Sequence, residues 1–228
     1  MKKEMWLIWK DSVSRRRYKI GILTYDGSKY TFKYVNPELN DATKVGFKYF
    51  PGFGDVHKTY ESNLLFANIL TRLPNKSRPD YLEILNSYNL EIDSTNFDIL
   101  KATKGRLLTD NFEFVPAFDY NKVEFDVAGT RHCEDVKKCI AQNLINVNDK
   151  LVLELEPTNE YDKNVIKVLF NKDGKSYHLG YVPRYYTEEL VKLLQNNIEY
   201  SAMIQSLNFE SEISDEDITA FVKLIFNK

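Results

Sequence analysis

The chain has 228 residues, of which 43% are hydrophobic and 14% aromatic, and its formal net charge is −2. This length and composition suit one large domain or two ordinary ones and exclude a largely disordered chain. No run of about 18 apolar residues occurs, which argues against a membrane span, and the apolar patch after Lys2 and Lys3 is too short for a signal peptide, so we expect a cytoplasmic protein.

Charge is distributed unevenly along the chain. Residues 1–121 carry 18 Lys and Arg against 15 Asp and Glu, whereas residues 122–228 carry 13 against 18. Five acids of the second half cluster near its end: Glu210, Glu212, Asp215, Glu216 and Asp217. Because nucleic-acid-binding surfaces are normally basic, this half could bind nucleic acid only through a local pocket.

The cysteines do not indicate a metal site. Cys133 and Cys139 form no CxxC pair and the chain has only three histidines, so we expect two reduced thiols, no zinc and no cofactor. His132 precedes Cys133, but neighbours along a strand point to opposite faces, which disfavours a nucleophile and base pair.

The first half is predicted to be β-rich with short helices. Residues 5–9 form a strand, and residues 15–35 form a hairpin around the turn sequence YDGS. Three segments have helical spacing: 63–73, 77–90 and 94–105. Ser77 is expected to cap the second helix, and Ser94 or Thr95 the third.

An aromatic loop, FKYFPGF, separates the hairpin from these helices. Its residues Tyr49, Phe50 and Phe53 either form a partner surface or pack in the core, and we expect the core. The boundary between two domains is placed within 116–122, which gives an N-terminal domain over 1–116 and a C-terminal domain over 122–228.

The second half predicts the order strand, helix, strand, strand, strand, helix, strand, strand. Such an order fits a small, strongly bent sheet or partly open barrel whose ends are covered by helices. Thr187 is expected to cap the second helix. The fold class is therefore α+β, with a β-rich N-terminal module and a small C-terminal barrel.

Signatures of enzymes are absent from the sequence. It contains no GxxxxGK[ST], no GxGxxG after a strand, no GxSxG and no HExxH. No carboxylate pair has a spacing that marks general acid–base catalysis or a nuclease metal site. We therefore expect a protein that is not an enzyme.

Three segments of the second half occur in a specific order: FDVAGTRH (125–132), LELEPTNEYDKNVIKV (153–168) and LGYVPR (179–184). Together they resemble the HIRAN domain over residues 122 to 210. The resemblance implies a compact barrel related to the OB fold. It also implies binding of single-stranded DNA at its 3′ end, as in the fork-remodelling helicase that carries such a domain.

The same resemblance assigns roles to three residues that would contact the DNA strand. Arg131 would reach terminal phosphates, to which a guanidinium is geometrically matched. Tyr161 would offer its ring to the last base, because stacking on aromatic rings tolerates any base. His132 stands where the helicase domain has an aromatic residue and would stack less strongly.

Asp162 is the residue that would select a strand end. A carboxylate repels a phosphate but accepts a hydrogen bond from a sugar hydroxyl, so it favours a terminus over a continuing strand. Tyr181 and Arg184 would complete the pocket, and Asn164 would hold the turn. The alternative interpretation is that PTNEYDKN is only turn chemistry, with Tyr161 packed on the barrel and Asp162 capping the bend.

The first half resembles, more loosely, the N-terminal subdomain of HipA-type kinases, in KIGILTYDGSKYTFKYV, GFKYFPGF, LLFANILTRLP and TKGRLLTDNFEF. No kinase body follows, so the resemblance implies an interaction module for a protein partner.

The sequence therefore leaves two functions open. The first is a bacterial-type protein that recognises single-stranded DNA ends in DNA repair, in a mobile element or in phage defence. The second is an antitoxin-like regulatory subunit without DNA binding. A locally positive pocket around Arg131 and Arg184 would favour the first, and charges already held in ion pairs would favour the second.

Overall fold

A computed structural model of the protein describes residues 3–159, 162–208 and 219–227. The chain divides into two compact units, Met1–Ala117 and Phe118–Lys228. Each unit contains one antiparallel sheet with helices, so the predicted α+β class is confirmed. No helix in the described ranges is long and apolar enough to cross a membrane.

The first unit has a five-stranded sheet in the order β4-β3-β2-β1-β5. The strands are β1 (Lys3–Lys10), β2 (Arg17–Tyr25), β3 (Tyr30–Tyr34), β4 (Tyr60–Ser62) and β5 (Phe112–Pro116). The helices are α1 (Glu38–Lys44), α2 (Ala67–Leu70), α3 (Tyr81–Ser87) and α4 (Asn96–Thr103).

The predicted hairpin is β2 and β3, paired from Gly21 and Tyr34 to Tyr25 and Tyr30. In the turn between β2 and β3, the Asp26 carboxylate accepts hydrogen bonds from the backbone N–H groups of Ser28 and Lys29, each at 2.8 Å. These bonds lower the pKa of Asp26 to about 2.

The three helices predicted for this unit are only partly confirmed. The segment 63–73 is helical only over the four residues of α2, although Leu65, Ile69 and Leu73 are buried at helical spacing. Ser77 does not cap α3, which follows Asp80 without a side-chain cap bond. Thr95 does cap α4, in a capping box with Asp98.

Aromatic residues fill the core of the first unit. Phe32 stacks on Phe53 with ring centroids 4.3 Å apart, and Phe50 is also fully buried. Tyr49, by contrast, is half exposed. Core packing of the aromatic loop, expected from the sequence, is thus confirmed for Phe50 and Phe53.

The second unit has a six-stranded sheet in the order β6-β11-β10-β7-β8-β9. The strands are β6 (Lys122–Asp126), β7 (Lys150–Leu155), β8 (Ile166–Lys172), β9 (Lys175–Tyr181), β10 (Tyr200–Asn208) and β11 (Thr219–Phe226). The helices are α5 (Glu134–Ala141) and α6 (Arg184–Gln195), and Thr130–His132 forms a 3-10 turn.

This sheet curls until its two edges meet. Ala128, just after β6, and Tyr181, at the end of β9, exchange two backbone hydrogen bonds of 2.8 Å. The pairing is an isolated bridge and not a continuous ladder, so the predicted barrel is an open, curled sheet whose edges are joined at this point.

Helix α6 begins at Arg184, directly after Pro183, and not at the predicted cap Thr187. Thr187 is buried and donates its hydroxyl to the Arg184 carbonyl at 2.8 Å. The fixed φ of proline suits the position before or at a helix start, and Pro183 therefore sets the boundary. The acidic cluster between Glu210 and Asp217 lies outside the described residues.

Candidate nucleic-acid interface

The candidate site lies where the sheet edges meet. Gly180 has φ +140°, and a Cβ atom on it would come within 2.5 Å of the Ala128 carbonyl oxygen, so the close approach of the two edges requires glycine. Gly129, with φ +75°, starts the 3-10 turn that carries Arg131 and His132. Two glycines thus place this turn beside the end of β9.

The ring of Tyr181 is oriented by its neighbours. The His178 ring meets it edge to face with centroids 4.7 Å apart, and the backbone of Gly129 lies close enough that a Cβ there would contact the Tyr181 ring at 3.4 Å. Burial of the phenol and the negative charge of Glu156 raise the pKa of Tyr181. The side chain is therefore a partly exposed, neutral aromatic group held in one orientation.

His178 was missed by sequence reasoning and supports that orientation. Its Nε2 lies 3.0 Å from the Gly180 carbonyl oxygen, which can only accept, so Nε2 carries the proton. Its Nδ1 lies 3.7 Å from the Cys133 sulfur, whose thiol donates to the Gly129 carbonyl at 3.5 Å. Burial lowers the pKa of His178, which keeps the imidazole neutral.

Arg131 and His132 lie side by side in the 3-10 turn. The Nε of Arg131 donates to Nε2 of His132 at 3.0 Å, and His132 is exposed. Nε2 of His132 is therefore the acceptor of this hydrogen bond.

Asp162 is held by three contacts in the connection between β7 and β8. Its N–H donates to Oδ1 of Asn159 at 3.2 Å, and its Oδ1 accepts from the N–H of Asn164 at 2.9 Å. Its Oδ2 forms an ion pair with Nη1 of Arg184. Asp162 thus caps the bend, as the turn interpretation requires, and also reaches the start of α6.

The structure joins two of the predicted site residues directly, Asp162 and Arg184, and pairs Arg131 with His132. Tyr181 lies three positions before Arg184, at the meeting of the sheet edges. Tyr161, predicted to stack on a base, lies outside the described residues.

A second ion pair lies beside the connection between β7 and β8. Nζ of Lys167 is 2.7 Å from Oε1 of Glu156, and Oε2 of Glu156 accepts from Nδ2 of Asn159 at 2.9 Å. The contact with Lys167 lowers the pKa of Glu156, and the contact with Glu156 raises the pKa of Lys167. Sequence reasoning missed this pair, since Glu156 follows β7 and Lys167 lies on β8, eleven positions apart.

The described residues contain no group of three or more His, Cys, Asp or Glu side chains placed to hold a metal ion. Cys133 and Cys139 are both buried thiols. Burial raises the pKa of Cys139, which disfavours its thiolate.

Residues 120–217 match the family model of the HIRAN domain, which confirms the resemblance predicted from the sequence. HIRAN domains are in general DNA-binding domains.

Two solved structures are also similar to the chain. The HIRAN domain of human HLTF is 20% identical, with 48% of this chain and 78% of that chain covered and a TM-score of 0.35. A protein from Lactobacillus plantarum is 21% identical, with 46% and 92% covered and a TM-score of 0.33. A search of curated proteins found no match. The likeness of the first half to HipA stays a prediction, since none of these matches concerns it.

Proposed function

We propose that the second unit binds the end of single-stranded DNA and selects a 3′-hydroxyl terminus. The observation that carries this proposal is the contact between Asp162 and Arg184. A terminal nucleotide presents a hydroxyl, which must donate to an acceptor, and a phosphate, which requires donors. The pair offers both kinds of group side by side.

The pair has capacity for both contacts. A carboxylate has about four lone-pair sites, of which the Asn164 N–H and Arg184 occupy two, so a hydroxyl can be accepted as well. The five N–H donors of a guanidinium allow Arg184 to contact Asp162 and a phosphate together. A 3′-phosphate would meet the Asp162 charge at the same place and be repelled.

The remaining predicted residues have roles that fit a short bound strand. Arg131 supplies a second guanidinium for the backbone, next to His132. The oriented ring of Tyr181 offers an apolar surface to the terminal sugar or base. Tyr161 is assigned the base-stacking role that the HIRAN resemblance implies.

The test is fluorescence anisotropy at low salt with a labelled single-stranded oligonucleotide that ends in a 3′-hydroxyl or a 3′-phosphate. We expect the hydroxyl end to bind about tenfold more tightly, the equivalent of one hydrogen bond to a charged group. Arg131→Ala should weaken the binding of both oligonucleotides. Equal binding of the two ends would refute end selection.

Asp162→Asn separates selection from simple attraction. The substitution removes the charge that repels a phosphate and releases Arg184 from its ion pair, so the 3′-phosphate strand should bind more tightly and the preference should disappear. Asp173→Asn is the matched control, because Asp173 is an exposed aspartate in the turn between β8 and β9.

A second candidate function is a regulatory subunit without DNA binding. Arg184 is held by Asp162, and Lys167 by Glu156, so two of the cations near the site are already neutralised. Under this alternative neither oligonucleotide binds even at low salt.

For the first unit we propose a role in binding a protein partner, and for the whole chain a role in DNA repair, a mobile element or phage defence. Support for the partner comes from large apolar side chains that are exposed in this unit: Leu64, Leu82, Ile92 and Leu108. Isothermal titration of a candidate partner against wild-type protein and a Leu108→Ser variant tests this role. Equal affinity for both would count against a surface that includes Leu108.

A further inference from the structure

A line of polar contacts runs behind the Asp162 carboxylate. Lys167 on β8 contacts Glu156 at the end of β7, Glu156 contacts the side-chain amide of Asn159, and Asn159 accepts from the backbone N–H of Asp162. We call Lys167, Glu156 and Asn159 the relay. It connects the sheet to the residue on which end selection depends.

The chemistry of the relay allows one orientation of the Asn159 amide. The ionised Glu156 carboxylate can only accept, so Asn159 must turn its NH₂ group towards Glu156. Its carbonyl oxygen then faces the N–H of Asp162, as observed at 3.2 Å. The charge of Lys167 keeps Glu156 ionised, because it lowers the pKa of that carboxyl group.

Backbone hydrogen bonds join the ends of the same connection. The N–H of Glu156 donates to the Val165 carbonyl at 3.0 Å, and the N–H of Val165 donates to the Asp162 carbonyl at 3.3 Å. The N–H of Asp162, however, is held by a side chain, that of Asn159. The relay therefore supplies one of the contacts that fix the orientation of Asp162.

We propose that Glu156 and Lys167 are positioning residues of the end-binding site, acting through Asn159 to hold Asp162 where it meets Arg184 and accepts a terminal hydroxyl. This inference rests on the proposed function. Both side chains are about three-quarters covered, with exposed fractions of 24% for Glu156 and 25% for Lys167. Their effect is transmitted through the contacts just described.

The experiment measures the ratio of affinities for the 3′-hydroxyl and 3′-phosphate oligonucleotides in full-length variants. Glu156→Gln keeps the shape of the side chain but removes the charge that pairs with Lys167, and Lys167→Met removes the other partner. Each should reduce the ratio about fivefold, part of the tenfold preference expected of the wild type. The double variant should lose no more than either single variant, because both break one line of contacts.

Two controls separate positioning from general stability. Glu188→Gln removes an acid that pairs with Lys192 on the exposed surface of α6 and should leave the ratio unchanged. Lys167→Arg keeps the positive charge and should preserve most of the ratio. Amide hydrogen exchange of Asp162 in the DNA-free protein should accelerate in Glu156→Gln and stay at the wild-type rate in Glu188→Gln.

The outcomes distinguish the two proposals. If the wild type prefers the hydroxyl end and Glu156→Gln keeps the full preference, the relay is refuted and end selection stands. Equal weakening of both ends in Glu156→Gln, with the ratio intact, also overturns the positioning role. If the wild type itself shows no preference, end selection falls and the positioning role falls with it.

Discussion

Ala128 and Tyr181 exchange two backbone hydrogen bonds of 2.8 Å, although they extend strands at opposite edges of the same sheet. This bridge brings the turn with Arg131 next to the strand end that leads to Arg184. The site is thus a consequence of how the sheet curls, and the residue that allows the approach is Gly180.

Gly180→Ala should therefore destabilise the second unit. An added Cβ would meet the Ala128 carbonyl oxygen at 2.5 Å and a Val127 methyl carbon at 2.7 Å, at a φ of +140° that L-residues rarely adopt. We expect a loss of roughly 3 kcal/mol or more, against about 1 kcal/mol for Gly174→Ala, where φ is also positive but the space is open. Thermal unfolding and amide exchange at Ala128 measure the loss of stability in both variants. Equal effects of the two substitutions would show that the bridge tolerates a side chain.

Glu113→Gln should make the first unit less stable at neutral pH. Burial of the Glu113 carboxyl group acts to raise its pKa, but the charges of Arg106, Arg17 and Lys104 outweigh it and hold the pKa at about 2. Because the folded-state pKa lies below the unfolded value of 4.5, the stabilisation is full above about pH 4.5 and is lost as pH falls towards 2. Its size is roughly 3 kcal/mol.

Urea unfolding at pH 7 and pH 3, monitored by tryptophan fluorescence, checks this prediction for Glu113→Gln. Both tryptophans of the chain, Trp6 and Trp9, are in β1, so the signal reports the first unit. The difference between wild type and Glu113→Gln should shrink markedly at pH 3. Glu61→Gln, which removes an exposed partner of Lys29, is the control and should change little at either pH.

Tyr34→Phe should weaken the packing of the aromatic loop. The Tyr34 hydroxyl donates to the Phe53 carbonyl and accepts from the Phe50 N–H, both at 2.7 Å, in a buried position. Burial raises the pKa of Tyr34 to about 12, so the hydroxyl stays protonated. Its removal leaves two buried backbone groups without this partner, at a cost of roughly 2 to 4 kcal/mol.

The same fluorescence measurement applies, with Tyr49→Phe as the matched control, since Tyr49 is 51% exposed. A stability loss for Tyr34→Phe no larger than that of Tyr49→Phe would mean that the loop does not depend on the hydroxyl.

Sequence reasoning succeeded where the signal is local. The YDGS turn, the Thr95 cap and the run of strands in the second half all depend on residues a few positions apart. The predicted pocket of Arg184 and Asp162 came from the HIRAN resemblance; the two residues form an ion pair, and their role in a pocket stays a prediction.

Contacts between distant residues were not predictable in this way. The approach of Cys133 to His178 and the pair of Glu156 with Lys167 depend on strand register and on the curl of the sheet. Helix α1 follows Pro37 and spans only seven residues, too few to show a clear apolar period.

Arg184→Ala should reveal whether this guanidinium reaches a phosphate. If it does, affinity should fall for both strand ends, and the slope of log affinity against log salt should become shallower by about 0.7, the value for one phosphate contact on a single strand. Lys192→Ala is the control, because Lys192 is on the same helix and pairs with Glu188. Anisotropy titrations over a range of salt concentrations give both slopes. An unchanged slope in Arg184→Ala, with affinity reduced only for the hydroxyl end, would mean that Arg184 serves Asp162 and not the DNA backbone, and the phosphate contact would then have to come from Arg131.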